Sequence, residues 1–258
     1  MTTSDLALIR DAAREAASIA MGYFRRDPDV WYKDGTSPVS EADIAVNDYL
    51  QETLGRSRSD YGWLSEESAD DLSRLGGAPV FVVDPLDGTR GFVGGQDQWC
   101  VSIGVVCDGV PQAGVLACPA RDEYFEAAIG GPAMKNGQPI AVSSKGFEGR
   151  VAAPKSIMKK LSGGPLATMV HEVYIPSLAY RIAMVADGRL SATLVKANAS
   201  DWDIAAADII LRQAGGSLVD INGNAPGYAR ATTKHDVLIA AANGMMSTLR
   251  RELEGVEL

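Results

Sequence analysis

Four acidic stations, widely separated along the 258-residue chain, carry side chains suited to hard-cation chemistry. They are Asp43, the pair Glu66-Glu67, the run Asp84-Pro85-Leu86-Asp87-Gly88-Thr89, and Asp203 beside Trp202. Carboxylates placed where strands and helices end can converge on hard cations, and such cations can neutralise a phosphate and activate water. Asp84 ends a hydrophobic run and Asp87 follows three positions later, across a proline-initiated turn, so both carboxylates can face one point. A turn that tight could also aim the Leu86 carbonyl there, an all-oxygen set that suits Mg²⁺ or Ca²⁺ and is poor for soft metals. Gly88 allows close backbone approach and Thr89 offers an N–H and a hydroxyl. A helix starting there would turn exposed N–H groups toward a phosphate.

Each station also has a plainer reading. A Pro-containing loop with Asp-Gly at a turn needs no ligand. Glu66-Glu67 could be solvated, or could sit favourably at the positive end of a helix. Asp201 or Asp203 could cap the helix that follows, with Trp202 as a core anchor, and Asp43 closes the capping pattern Ser40-Glu41-Ala42-Asp43.

The elements that must position these groups follow from periodicity. Leu6, Ile9, Ala13, Ala17, Ala20 and Phe24 recur at helical spacing up to Asp27-Pro28, which predicts a first helix. A loop over residues 32–38 leads into a second helix opened by the Ser40 pattern, with Val46, Leu50 and Leu54 near one face. From Gly62 to Ile140, short apolar runs punctuated by Gly, Asp and Pro predict an antiparallel sheet. Beyond about residue 140, strands at 151–153 and near 190–194 alternate with helices near 177–186 and at 203–214, the last closed by Gly215-Gly216. This predicts a second sheet flanked by helices. The best candidate boundary lies in residues 145–149, giving an N-terminal α+β domain (1–145) with most of the acidic stations and a C-terminal α/β domain (146–258) that contributes Asp203.

Composition narrows the function classes. With 46% hydrophobic residues the chain can bury a large core. A net charge of −9 without a basic run argues against a nucleic-acid polymer as partner. An acidic protein that handles phosphate needs positive charge from elsewhere, and bound divalent metal is the natural source. Cys100, Cys107 and Cys118 sit in or beside apolar, strand-like runs without a C-x-x-C pair, and read as reduced core residues. Their odd number and the amphipathic start predict a cytoplasmic protein, and no apolar run is long enough to span a membrane.

The order S-P-V-S-x-A-D, then W-L-S-E-E-S, then D-P-L-D-G-T-R-G-F, then D-W-D-I-A-A-A-D resembles the inositol monophosphatase superfamily of Mg²⁺-dependent, Li⁺-sensitive phosphatases, over nearly the whole chain. The resemblance implies an α/β fold built as an α-β-α-β-α layered sandwich, commonly a homodimer, acting on small phosphate monoesters with two or three Mg²⁺ per site. Carried onto this chain, it implies that Glu66, Asp84 and the Leu86 carbonyl bind one metal, that Asp84, Asp87 and Asp203 bind a second, and that Glu66 helps hold a third. It further implies that Gly88 and Thr89 cradle the phosphate, that Asp43 and Thr89, with Glu66, orient the attacking water, and that Lys33 is a basic residue on a loop near the metals. Attack would be direct and in line, since no Cys or Ser beside a His offers an activated nucleophile.

Inositol-specific members carry an acidic residue several positions before the Trp-Asp pair, where this chain has Lys196. A lysine there suits a second anionic group, which leans the reading toward 3′(2′),5′-bisphosphate nucleotides, unless Lys196 is simply an exposed lysine at a strand end. Inositol monophosphate, histidinol phosphate and fructose 1,6-bisphosphate stay open. Two rival classes remain: a non-catalytic partner-binding protein on the same fold, disfavoured because every metal position is filled, and a calcium-stabilised structural domain, which leaves Thr89 and Lys33 unexplained.

Overall fold

The computed structural model describes residues 2–33, 35–159 and 163–254. A seven-stranded sheet runs in chain order through Gly62–Ser65, Val80–Asp87, Cys100–Cys107, Val110–Cys118, Glu123–Ala128, Met134–Lys135 and Gln138–Pro139. The sheet is not wholly antiparallel as the sequence suggested: Gly62–Ser65 pairs parallel to Val80–Asp87. The two carboxyl ends of those strands therefore lie side by side, which brings Glu66 next to the Asp84–Asp87 turn. A second sheet of five strands has the order Val170–His171, Arg150–Ala152, Ala192–Val195, Leu238–Ala242 and Gly216–Asp220.

Helices Thr2–Tyr23 and Glu41–Ser57 cover one face of the large sheet. Ile9, Ala13, Ala16, Ala20, Val46 and Leu50 pack there against Phe81, Val83, Val101 and Val115. Alanine keeps the first helix close to the strands and favours the helical backbone. Helices Leu178–Ala186 and Asp201–Gln213 lie between the two sheets and share one core with both, through Ile182, Ile204, Ala206 and Ile210. Helix Met246–Leu253 packs on the far face of the small sheet through Leu249 and Leu253. The layering is α-β-α-β-α, as the resemblance implied.

The helix that carries Asp203 is held unusually close to the large sheet. A Cβ at Gly114 would meet the Ala206 backbone at 2.6–2.8 Å, so only glycine lets strand and helix meet there. Ala205 and Ala206 supply the matching small surface on the helix. The loop expected over residues 32–38 is mostly a β-hairpin, Val30–Lys33 with Ser37–Ser40, paired in register Lys33↔Ser37. Asp34 lies outside the described residues. Among the described residues, no helix is long and apolar enough to cross a membrane. All three cysteines are free; Cys100 and Cys118 are buried, whereas Cys107 is half-exposed at its strand end instead of lying in the core.

Candidate active site

Two helix starts of one design reach the site. Helix Glu41–Ser57 begins with a capping box in which Ser40 is the N-cap and Asp43 accepts the Ser40 N–H at 2.8 Å. Helix Asp201–Gln213 begins the same way, with Asp203 accepting the Ser200 N–H at 2.6 Å. Ser200, and neither Asp201 nor Asp203, is the N-cap of that helix. A capping box uses one carboxylate oxygen on the backbone, so the side chain is fixed while its other oxygen stays available.

Asp84 and Leu86 form a tight turn at the end of their strand, with the Leu86 N–H donating to Asp84 Oδ1 at 2.9 Å. Glu66 follows the parallel neighbouring strand, its N–H donating to the Val83 carbonyl at 3.2 Å. Carboxylate oxygens of Glu66, Asp84 and Asp203, from three elements remote in the chain, lie within 4.8 Å of one another. Burial, reinforced by Asp203 and Glu67, pushes Glu66 up to about 8. Burial and the charge of Asp87 push Asp203 up to about 7. Asp84 is raised well above its usual value, by burial first and then by Glu66, Asp87 and Asp203. Buried like charges at this spacing repel unless protons or a cation neutralise them. The donor set is all oxygen, so a hard divalent cation fits and a thiophilic one does not.

Asp87 is fully engaged on the protein side. Its carboxylate accepts the Ser177 hydroxyl at 2.6 Å and the N–H groups of Leu178 and Ala179 at 3.2 and 2.6 Å, at the start of helix Leu178–Ala186. It still faces Asp84 and Asp203 electrostatically. The Leu86 carbonyl accepts the Thr89 hydroxyl at 3.0 Å, and the same hydroxyl lies 3.0 Å from Asp43 Oδ1. Burial raises Asp43 to about 6 even though its bonds with Ser40 and Thr89 oppose the shift. Gly88 sits at φ +98°, and a Cβ there would meet Gln98 and Ser177 at 3.2 Å. The turn therefore needs glycine on both conformational and steric grounds.

Lys33 donates to the Glu66 carbonyl at 3.1 Å and pairs with the nearly buried Glu67 carboxylate, so the hairpin delivers a cation to the edge of the cluster. A cavity of about 220 Å³, lined by Ser37, Glu66, Asp84, Asp87, Gly88, Thr89, Tyr174 and Asp203, holds these groups together. Lys196 is not among them; it is exposed and lines a separate, larger cavity that also reaches Tyr174. Sequence reasoning missed Ser177 as the partner of Asp87, although a serine opening a helical pattern was the available signal. It also missed the pair of buried Asp201 with half-buried His235, 2.6 Å apart, directly behind the Asp203 helix start.

Fold and site together define an α/β enzyme type in which clustered carboxylates at strand and helix ends face a small cavity. The chain belongs to the inositol monophosphatase family, whose model matches residues 3–256, and it is accordingly a phosphoric monoester hydrolase of a family that is metal-dependent, typically on Mg²⁺. It is 29% identical over 251 residues to a histidinol-phosphatase of Chlorobaculum parvum, covering 94% of both chains. It is 27% identical over 236 residues to the 3′(2′),5′-bisphosphate nucleotidase CysQ of Aggregatibacter actinomycetemcomitans, covering 86% of both. Among solved structures, extragenic suppressor protein suhB of Bartonella henselae superimposes with a TM-score of 0.85 at 26% identity, over 98% of this chain and 99% of that one.

Proposed function

We propose that the protein is a Mg²⁺-dependent, Li⁺-sensitive phosphatase of small phosphate monoesters, with a lean toward 3′(2′),5′-bisphosphate nucleotides and with inositol monophosphate as the second candidate. The observation that carries this reading is the meeting of Glu66, Asp84 and Asp203 within 4.8 Å, with Asp84 buried and the other two half-buried. Glu66, Asp84, the Leu86 carbonyl, Asp87 and Asp203 would hold the metal ions. When bound, Mg²⁺ supplies positive charge that lowers the pKa of a nucleophilic water and offsets charge on the phosphoryl oxygens and the leaving oxygen.

The chain's own residues do the rest. The Thr89 hydroxyl, 3.0 Å from both Asp43 and the Leu86 carbonyl, supports a role for this pair in orienting a water, with Asp43 as the acceptor of its proton. Burial pushes the Asp43 carboxyl up to about 6, closer to neutrality than an ordinary carboxylate, which suits a group that is to accept a proton. Gly88 and Thr89 open a short helix beside the carboxylates and would receive the phosphate. Asp87 has every oxygen tied to helix Leu178–Ala186, so its part in binding metal requires an oxygen that both ligates and accepts from that helix start. The lean toward a bisphosphate rests on Lys196, exposed on the wall of the adjoining cavity.

The same reading places the protein in the cytoplasm as a homodimer, with its free cysteines reduced. A panel of inositol 1-phosphate, adenosine 3′,5′-bisphosphate, histidinol phosphate and fructose 1,6-bisphosphate, assayed for phosphate release with Mg²⁺ and with added Li⁺, tests it. Release from one ester, abolished by EDTA and depressed by Li⁺, is expected. Absence of Mg²⁺-dependent release from the whole panel would overturn it.

A further inference from the structure

The cavity that holds the carboxylates has room for a phosphate and little else. Beside it lies a cavity of about 660 Å³, within the range of sites that take drug-sized ligands, and Tyr174 lines both. Tyr174 is 69% exposed, a flat aromatic surface standing at the junction. Much of the larger wall is apolar: Ala152, Pro154, Met158, Ile175 and Val195 contribute to it. A polyol would find few partners on such a surface, whereas a planar ring would gain from it and from Tyr174.

The charged groups on this wall are lopsided for a chain of net charge −9. Lys155, Arg181 and Lys196 face one carboxylate, Glu172, which is already paired with Arg150 at 2.8 Å. Among the described residues, none of those three cations has a carboxylate within ion-pair distance. Arg181 is the most telling. It projects from helix Leu178–Ala186, donates one bond to the Leu194 carbonyl at 3.2 Å, and has its Nε shut off from solvent without an acceptor. Burial holds the guanidinium below its usual pKa, and the charge of Asp87 opposes that without forming an ion pair. A buried guanidinium left short of partners is costly unless an anion completes it.

We infer that this cavity seats the leaving group of the ester, and that Arg181, with Lys155 and Lys196 at its rim, selects leaving groups that carry a second phosphate on a planar ring. The inference rests on the phosphatase reading for the position of the scissile phosphate, and it adds a residue that decides specificity. The ring lies along the apolar wall against Tyr174, the reacting phosphate points to the carboxylates, and the second phosphate meets the edge of the Arg181 guanidinium that lines the cavity.

Equilibrium binding in EDTA at about pH 8.5 isolates this cavity, because without metal and with its protons released the carboxylate cluster repels anions. Adenosine 5′-monophosphate, a ring bearing only the second phosphate, should bind wild-type protein about 10- to 100-fold more tightly than adenosine, the worth of a charge-assisted contact. Arg181→Met and the double variant Lys155→Ala/Lys196→Ala should each shrink that ratio, with Arg181→Lys retaining part of it. The double variant changes only exposed side chains, so it reports even if Arg181→Met fails to fold. In parallel, kcat/KM with Mg²⁺ is compared for adenosine 3′,5′-bisphosphate and adenosine 3′-monophosphate, and the ratio should fall in the same variants. Equal binding of the monophosphate and adenosine to wild type, or a ratio indifferent to both sets of substitutions, overturns the inference. Arg181-dependent binding with no ester hydrolysed would instead overturn the phosphatase reading and leave the cavity's assignment standing. Hydrolysis with no such binding does the reverse.

Discussion

The helix starts at Ser40–Asp43 and Ser200–Asp203 are built by one local rule and end in different chemistry. In each, a serine N-cap is followed three residues later by an aspartate that accepts the serine N–H. Asp43 then finds two hydroxyls, Ser40 Oγ at 2.5 Å and Thr89 Oγ1 at 3.0 Å. Asp203 finds carboxylates, lying with Glu66 and Asp84 in the cluster. Burial raises both aspartates, but Asp43 only to about 6 and Asp203 to about 7. The difference teaches that the capping box only immobilises a carboxylate. Its neighbours decide what that carboxylate meets: bonds from Ser40 and Thr89 oppose the effect of burial on Asp43, whereas the charge of Asp87 adds to the effect of burial on Asp203. On the proposed reading the first would serve proton transfer and the second a cation.

Isosteric neutralisation breaks the comparison most sharply. Asp203→Asn and Asp84→Asn should each lower turnover by about 10³-fold or more, since each removes charge that holds the electrostatic machinery together. Both should leave the metal-free protein folded, because asparagine keeps the acceptor oxygen used by Ser200 N–H or Leu86 N–H and relieves repulsion. Near-normal activity in either variant, measured by phosphate release at saturating Mg²⁺, contradicts the assignment. Asp43→Asn should cost less, about 10²- to 10³-fold in kcat, with Mg²⁺ affinity by calorimetry close to wild type. Thr89→Ala should follow it in lowering kcat more than it raises KM. If Asp43→Asn weakened Mg²⁺ binding as much as Asp203→Asn does, the two helix starts would be doing the same work.

Stability against pH gives a second view of the same cluster. Glu66, Asp203 and Asp43 reach about 8, 7 and 6 in the folded protein, against about 4 when unfolded. Between those values the folded state holds protons that the unfolded state has released, so stability falls as pH rises from about 4 through about 8. A kcal/mol moves Tm by about 2–4 °C in a chain of this size, and one pH unit of such separation is worth about 1.4 kcal/mol. In EDTA, Tm should therefore drop by more than about 10 °C between pH 5 and pH 8.5. Mg²⁺ should remove most of the drop, because it replaces the missing protons. A Tm in EDTA that is flat or rises over that range would show that the carboxylates are not held together when the protein is metal-free.

Local signals were the legible ones. The Ser40-Glu41-Ala42-Asp43 box, the turn at Asp84–Asp87 and the long helices follow from residue type and spacing, because caps and periodicity are decided within a few residues. Pairing decided elsewhere was not legible. The parallel register of Gly62–Ser65 with Val80–Asp87 depends on a crossover that short apolar runs do not encode, and strands Gly216–Asp220 and Leu238–Ala242 are fixed by pairing with each other and by packing on helices Asp201–Gln213 and Leu178–Ala186 respectively. Asp87 shows the limit within the site. Its spacing from Asp84 suggested a shared ligand point, but only the tertiary structure shows Ser177 and helix Leu178–Ala186 drawing its oxygens away.

The smallest expected effect separates the two helix starts at their foundations. Behind Asp203, residues 228–235 strap the helix start: Asp201 accepts from the Ala229 N–H at 2.7 Å and lies 2.6 Å from His235 Nε2, while Lys234 donates to Ser200 Oγ at 2.5 Å. His235 and Lys234 also place positive charge near Asp203, which opposes the upward shift of its carboxyl. If the strap fixes Asp203 for cation binding, His235→Ala should raise the Mg²⁺ concentration that half-stabilises the protein in thermal unfolding by about tenfold. His235→Gln, which can still donate to Asp201, should stay near wild type. Equal Mg²⁺ dependence in His235→Ala and wild type would reduce the strap to packing. The Ser40–Asp43 start would then differ from it only in the neighbours its aspartate meets.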